Sequence, residues 1–497
     1  MTHTLSLNKI VEILEENHLL VENHLGKLET EIQSISYDSS KITENTLFFC
    51  KGIHFKADYL VQALEKGAIA YVSEEKYEVE TDSPYLLVNN IRRAISILAP
   101  IFYENPANDL NLIGITGTKG KTTVAYFLKN ILDAASATET GLMGTEETIT
   151  GLRKETSHNT TPEPFDLQMF LDEAREAKLP YFTMEVTSQA YKMDRVLGMT
   201  FEHAIWLNIA EDHISPAEHP DFEDYISCKL QLMTHGKEIL INHETDFFER
   251  VYETAKSSEL APKIYTYASD KHRDRADFYY TDVKRKGSIL SFKVVSQDGA
   301  EDFAISTLGL FNVENATAAV AQAKLLGISS EAIRTGLLKT QIPGRMNIFE
   351  NKGVTVVVDY AHNLMSFTAL FKSLRHDFPT EKIISVGGGP GEKAYQRRKD
   401  FADVVGKYSD YIYLTAEDPQ FEDPQKICEE IASYMPDAHY EIIVDRTEAV
   451  TRAIQSAKSG EIVVLLAKGT EAFQKVRGVW EPYLSDVTLA QNLLEAL

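Results

Sequence analysis

The chain has 497 residues, 43% hydrophobic and 25% charged, with 74 acidic against 50 basic side chains and a formal net charge of -24. That length exceeds what one hydrophobic core serves, and a prior of about 150 residues per domain gives three; the composition is that of a folded globular protein. The acidic balance excludes general affinity for nucleic acid or an anionic membrane surface, so an anionic substrate must meet a local basic patch.

Cys50, Cys228 and Cys428 are isolated, which argues against a disulfide framework or a structural zinc site and for a reducing compartment. The N-terminus has no basic segment followed by an apolar core, and no later run approaches about 18 apolar residues, so a cytoplasmic protein without membrane insertion is expected.

Residues 1–107 mix short strands and helices: Leu47-Phe48-Phe49 predicts a strand, Tyr59 to Lys66 a helix and Ala68 to Val72 another strand, a small α/β unit. Within it Asp38-Ser39-Ser40, taken alone, has the composition of a turn. The run Glu104-Asn-Pro-Ala-Asn-Asp109 closes the unit.

A second unit, 108–341, begins with an apolar run (Leu110, Leu112, Ile113, Ile115) that enters Gly114-Ile-Thr-Gly-Thr-Lys-Gly-Lys-Thr-Thr123. Val124, Phe127, Leu128, Ile131 and Leu132 leave it at helical spacing. Strand, glycine turn and helix start together make a triphosphate cradle. Gly117 and Gly120 let backbone N–H groups close on an anion, Lys121 supplies a point charge, and Thr122 can hold Mg²⁺. In α/β sheets ligands gather at the carboxyl ends of strands. Glu185, near the end of one predicted strand, and Asp212-His213, after the strand His203 to Leu207, are therefore candidate Mg²⁺ ligands. Lys229, taken alone, reads as a surface lysine. Residues 278–306 alternate as a hairpin insertion, and Asn312-Val-Glu-Asn315 opens an alanine-rich helix.

Ile342-Pro-Gly-Arg345 marks a second hinge. Beyond it, β runs at Val354 to Val358, Ile383 to Val386, Tyr411 to Leu414, Ile442 to Val444 and Ile462 to Leu466 alternate with helical stretches, which predicts a parallel sheet covered on both faces. Gly387-Gly-Gly-Pro-Gly391 lacks the dinucleotide form. Four loops follow strand ends and should share one edge: Asp359-Tyr360-Ala-His362-Asn363, Gly387 to Arg398, Glu417-Asp418-Pro419-Gln420 and Lys468-Gly469-Thr470-Glu471.

The short loop Gly117-Thr-Lys-Gly-Lys-Thr-Thr123 resembles the ATP loop of the Mur ligase family. The Asp38-Ser39-Ser40, Thr46-Leu-Phe-Phe and Lys51-Gly52 runs resemble the uridine-diphosphate-binding first domain of its members that add the third residue of the peptidoglycan stem peptide. Asn159-Thr160-Thr161-Pro162, Glu185-Val-Thr-Ser188, Asp212-His213, Lys229 and the four C-terminal loops extend the resemblance over essentially the whole chain. It implies an α/β, three-domain architecture: a UDP-binding domain (1–107), a central P-loop ATPase domain (108–341) and a C-terminal Rossmann-like domain (342–497), acting as a monomer. It implies ATP held by Gly117, Thr118, Lys119, Gly120, Lys121, Thr122, Thr123, Asn315, Arg345, Asp359, Tyr360 and His362, and Mg²⁺ held by Thr122, Glu185, His213 and a carbamylated Lys229. Lys121, Lys229 and His213 would be catalytic. Ser39, Asn159, Thr160, Thr161, Ser188 and Arg195 would hold the acceptor UDP-MurNAc-L-Ala-D-Glu, and Arg397, Arg398, Glu417, Asp418, Gln420 and Glu471 the incoming amino acid.

ATP would convert the acceptor carboxylate into an acyl-phosphate, which an amine then displaces. The expected amine is L-lysine. Diaminopimelate carries a distal carboxylate that calls for a fixed cation, preferably arginine; ligases that use it read Asp-Asn-Pro-Arg where this chain reads Glu417-Asp418-Pro419-Gln420. Ornithine and meso-diaminopimelate remain alternatives. A folate polyglutamating ligase shares the loop and the last two domains but lacks an N-terminal domain, and a P-loop ATPase that forms no bond is the rival of another class.

Overall fold

The computed structural model describes residues 3–497 apart from 27–29, 53–54, 78–82, 137, 216–217, 287–288 and 308. They gather into two compact units, residues 1–114, 138–204 and 234–237 in the first and 115–137, 205–233 and 238–497 in the second. The strands Leu112–Thr116 and Phe201–Trp206 each begin in the first and end in the second.

In the first unit five strands lie in the order Leu20–Asn23, Tyr85–Val88, Ala68–Ser73, Thr46–Phe49, Ser34–Ser36, parallel from the second onward. Thr46-Leu-Phe-Phe is buried along its length because both faces of the strand are covered. Leu47 and Phe49 enter a core with Ile10, Leu14, Ile95 and Leu98, while Phe48 packs with Leu60 and Ala63 on the other side. Phe165, from the helix Pro164–Glu176, joins the first core, its ring 4.9 Å from Phe49 and 5.7 Å from Tyr37. That anchor fixes the Asn159 to Glu163 segment preceding the helix.

In the second unit the helix Lys121–Ser136 follows the glycine loop, and Thr122 to Leu128 are buried without a break, as in a helix packed on every side. Gly336, in the helix Ser330–Lys339, sits where the two helices meet; a Cβ there would stand 2.4 Å from the Ile131 Cα. The predicted hairpin is instead a three-stranded antiparallel meander, Phe278–Lys286, Ile289–Ser296 and Gly299–Ile305, added beside the strand Lys263–Ser269. The second reversal comes at Gly299, whose φ of 117° no other residue adopts easily. The first turn, at 287–288, lies outside the described residues.

The C-terminal sheet has the order Asn347–Asn351, Val354–Asp359, Ile462–Leu466, Ile383–Gly387, Tyr411–Leu414, Tyr440–Ile442, parallel except for its first strand. The last strand ends at Ile442, two residues short of the expected Val444, whose carbonyl instead accepts the Ala416 N–H and the Thr415 hydroxyl. Parallel strands put all four predicted loops at one edge. Among the described residues, no helix is long and apolar enough to cross a membrane.

Candidate active site

Both loop glycines are required. Gly117 and Gly120 have φ of 155° and 89°, and added Cβ atoms would lie 2.9 Å from the Leu207 Cβ and 2.4 Å from the Asn315 Oδ1. Asn208 clamps the loop from the neighbouring strand end: its carbonyl accepts the Thr118 N–H at 3.0 Å, its Oδ1 the Lys119 N–H at 2.9 Å, and its Nδ2 donates to the Lys119 carbonyl at 3.0 Å. Thr118 Oγ1 meets the Tyr225 hydroxyl at 3.0 Å and accepts the Ala210 N–H at 3.0 Å. A loop held this way keeps its N–H groups aimed at an anion with little reorganisation. Thr122 and Thr123 are buried in the first turn of the helix. Lys121 folds back, donating to the Gly117 carbonyl at 2.8 Å.

Asp212 is the electrostatic centre of this unit. Its carboxylate accepts from Asn363 Nδ2 at 2.7 Å and Arg397 Nη2 at 3.1 Å, with Lys119 Nζ at 3.4 Å. Burial opposes its charge, but Lys119, Arg397, His213 and His362 outweigh burial and hold it well below the usual carboxylate range. His362 Nδ1 donates to the Tyr360 carbonyl at 2.7 Å, so Nε2 presents its lone pair to Lys119 Nζ at 3.0 Å. Burial lowers Lys119 to about 7 against the pull of Asp212, and lowers His362 as well. Asp359 accepts the N–H groups of Met346 and Ala361 at 2.9 and 2.8 Å, and Arg345 lies over the Tyr360 ring at 4.3 Å.

Lys229 is 2% exposed, not a surface lysine, and its Nζ donates to the Gly117 carbonyl at 3.0 Å. Burial, then Lys121 and Lys119, hold it well below the ordinary lysine range despite Asp212. A neutral amine is the form that adds CO₂, and the resulting carbamate supplies the oxygen donor Mg²⁺ prefers, which a bare ammonium cannot. The donor set of Thr122, His213 and a carbamylated Lys229 therefore fits a Mg²⁺ beside phosphates. His213 Nδ1 is oriented by Glu218 at 3.0 Å, as an imidazole ligand usually is.

At the sheet edge, Gly388 and Gly391 press on the next loop: Cβ atoms there would come within 2.0 Å of the Thr415 carbonyl and 1.9 Å of the Pro419 carbonyl. Glu417 is buried and its carboxylate makes no hydrogen bond among the described residues; burial, then Asp418, raise its pKa. Some of the residues expected to meet the amino acid already have partners within the chain. The Arg397/Arg398 pair divides, because Arg398 is 3% exposed and bonded to Glu422, Glu430 and the Pro390 carbonyl, a brace rather than a free cation. Asp418 and Glu471 already meet Lys468 Nζ, Asp418 at 3.0 Å. Gln420 has a φ of 56° and its backbone is tied to Lys475 and Arg477.

In the first unit Glu185 is 1% exposed and accepts the Thr145 N–H at 2.9 Å; Gly144 leaves room for it, since a Cβ there would sit 2.5 Å from its Oε1. Thr161 Oγ1 donates to the Glu185 carbonyl at 2.9 Å, and Thr160 Oγ1 meets that of Thr145 at 3.1 Å. Arg195 donates to the Thr161 carbonyl at 2.9 Å and pairs with Glu163 at 2.7 Å; Lys51 pairs with the same carboxylate. Ser188 is buried at the start of its helix. Asn159 is exposed, and Ser39 bonds Gln62 near the surface at 3.3 Å, away from this cluster's hydrogen bonds.

Residues 115–323 match the Mur ligase middle domain and 344–469 the Mur ligase glutamate ligase domain. A UDP-N-acetylmuramyl-tripeptide synthetase of Lactobacillus delbrueckii subsp. bulgaricus is 39% identical, with 99% of each chain covered. The chain belongs to the Mur ligase family. It is thus an ATP-dependent, ADP-forming amide ligase of peptidoglycan synthesis. The UDP-N-acetylmuramoyl-L-alanyl-D-glutamate--L-lysine ligase of Enterococcus faecalis is 41% identical over 99% of both chains. Among solved structures, MurF from Acinetobacter baumannii shares the fold at a TM-score of 0.69 and 20% identity over 99% of each chain. A folylpolyglutamate synthase from Thermotoga maritima, at a TM-score of 0.58 and 19% identity, covers 75% of this chain and 89% of its own.

Several residues of this Mur ligase site escaped the sequence reading. Asn208 and Tyr225 carry no motif of their own, and Asn363 and Lys468 stand in two of the strand-end loops but were given no role there. A cavity of about 560 Å³ opens beside Asn208 and is lined by Asn242, Tyr280, Leu310, Glu314 and Met365 among others. His219, Asp224 and Cys228 also gather ligand atoms within 4.8 Å. The His219 imidazole and Asp224 carboxylate are hydrogen bonded at 2.6 Å, closer than the roughly 3.3 Å between two ligands on one tetrahedral ion, and form an oriented histidine instead.

Proposed function

We propose that this Mur ligase adds L-lysine to UDP-MurNAc-L-Ala-D-Glu, in the cytoplasm, using the three segments 1–107, 108–341 and 342–497 for nucleotide acceptor, ATP and amino acid. The observation that carries the lysine assignment is Glu417, a buried carboxylate without a hydrogen bond among the described residues, in a loop where Gln420 replaces the arginine a distal carboxylate would need. Arg397, Lys468 and Arg446 act on this carboxylate only through space, without a hydrogen bond among the described residues, so a direct ammonium partner is favoured and a second carboxylate is rejected. The identity to the Enterococcus faecalis L-lysine ligase supports the same reading.

The loop N–H groups, Lys121 and Lys119 hold the ATP phosphates, and Asn315, which lies against Gly120 of the loop, meets the adenine. Arg195 and the Thr160-Thr161 turn hold the acceptor. Mg²⁺ on Thr122, His213 and carbamylated Lys229 would offset charge on the transferring phosphoryl group, and Glu185 is the Mg²⁺-ligand candidate of the first unit. Lys121 lies where it can follow charge onto the leaving phosphate, and Arg397, between Asp212 and the Glu417 loop, ties the phosphate and amino-acid ends together. The test is kcat/KM for lysine, ornithine and meso-diaminopimelate with one acceptor, read by product mass. Lysine should lead, and a preference for diaminopimelate would sink the assignment.

A further inference from the structure

Three carboxylates, Glu417, Asp418 and Glu471, stand on the two loops that end the strands Tyr411–Leu414 and Ile462–Leu466. Three like charges so close would repel one another. Arg397 and Arg446 act on Glu417 through space, and Lys468 is hydrogen bonded to the other two acids. Lys468 is 1% exposed, its Nζ donates to Asp418 Oδ1 at 3.0 Å and to Glu471 Oε2, and it sits 5.3 Å from the Phe473 ring centre. Asp418 Oδ1 also accepts the Lys475 N–H at 3.0 Å. The side chains of Asp418 and Glu471 keep 16% and 24% of their surface exposed, so the lysine lies beneath the two acids rather than in the space above them.

We propose that Lys468 is a positioning residue for amino-acid selection: it pins Asp418 and Glu471 in place and leaves Glu417 as the single carboxylate for an incoming ammonium. The idea rests on the lysine reading above and adds the device that sets its selectivity. A buried ammonium must be paired to remain charged, and burial does push Lys468 below the ordinary lysine range while Asp418 opposes that shift. The same pairing fixes where the two acids stand. With the ion pairs in place the pocket has one strong cation acceptor at a defined depth, which measures side-chain length and separates lysine from ornithine. Without them, Asp418 and Glu471 are no longer held in place and join Glu417 in accepting a cation at several depths, and the measure is lost. Lys468 acts through these carboxylates and touches no reacting atom.

The experiment is steady-state kinetics on the full-length ligase with Lys468→Met, Lys468→Arg and Lys468→Met/Glu471→Gln. Lys468→Met should raise KM for lysine at least about ten-fold and reduce the lysine-to-ornithine preference in kcat/KM, with KM for ATP unchanged. Lys468→Arg, which keeps the charge, should recover most of the preference, and the double variant should recover part of the lysine KM by removing one unneutralised acid. An unchanged lysine KM and preference in Lys468→Met overturns the proposal, as does a parallel rise in the KM for ATP, which would mark a general loss of structure. Should Lys468→Met not fold, Lys468→Arg and Glu471→Gln decide alone: a preference unchanged in Glu471→Gln overturns it. Failure of the lysine reading itself looks different, since the wild-type enzyme would then prefer another amino acid before any variant is compared.

Discussion

Two lysines donate to the same carbonyl, that of Gly117, and should fail in different ways. Lys121→Ala removes charge compensation from the phosphoryl transfer, and phosphate release should fall about a hundred-fold or more while stability moves by about 0.5 kcal/mol or less, because the side chain packs little. Near-normal turnover would reject the loop assignment. Lys229→Ala removes an oxygen donor instead, so activity should return in part when a small carboxylate is added. Lys229→Arg, whose guanidinium cannot carry a carbamate, should stay inactive, and a fully active arginine variant would end the carbamate reading. Lys121 was legible in the sequence because glycine, lysine and threonine occur at the turn from strand to helix. Lys229 was not, since its residue type says surface. Its position said otherwise: it stands four residues after Tyr225 and three before Leu232, inside the buried stripe of the helix Phe222–His235. The charge masked a periodicity that an apolar residue would have displayed.

Individual elements were read to within one or two residues where alternation or helical spacing extended over a whole strand or helix, as in the C-terminal parallel sheet. What stayed hidden were contacts between elements, which no local pattern records. The Gly387 to Gly391 run is the clearest case. It departs from every nucleotide fingerprint because its glycines serve a backbone seam with the 415–419 loop, where Gly391 has no space for a methyl. Gly391→Ala should therefore shift the Glu417 loop and raise KM for lysine while leaving KM for ATP alone, at a stability cost of about 1–3 kcal/mol; equal effects on both KM values would show that the seam is not confined to the amino-acid loops. In the first unit, Phe165→Ala should cost about 3–5 kcal/mol in urea unfolding, since its ring fills a core shared with Phe49 and Leu47. A loss under about 1 kcal/mol would mean that Phe165 does not anchor the Asn159 to Glu163 segment.

For the molecule as a whole, the acidic composition makes pH a sensitive variable, and one group sets a clear sign. Burial, reinforced by Glu244, pushes Glu314 from 4.5 to about 7 although Asn242 opposes it. A carboxyl whose folded pKa lies above its unfolded value stabilises the fold below 4.5 and loses that contribution as pH rises through about 7. Because Glu314 borders an open cavity, the effect is about 2 kcal/mol rather than the full shift. Glu314→Gln should flatten the unfolding free energy between those two pH values, and an unaltered slope would remove Glu314 from the account. The Asp212 carboxylate has a consequence of another kind. It joins Lys119 of the ATP loop, Asn363 of one strand-end loop and Arg397, which also faces Glu417. An arriving phosphate competes for Lys119 and Arg397, and an arriving amino acid alters the charge that Arg397 meets at its other side. Nucleotide and amino acid are therefore partners in one equilibrium: whatever factor a non-hydrolysable ATP analogue lends to lysine binding, lysine must lend to the analogue. Calorimetry should find that shared factor well away from one in the wild type and close to one in Asp212→Asn, where each ligand would bind as if the other were absent.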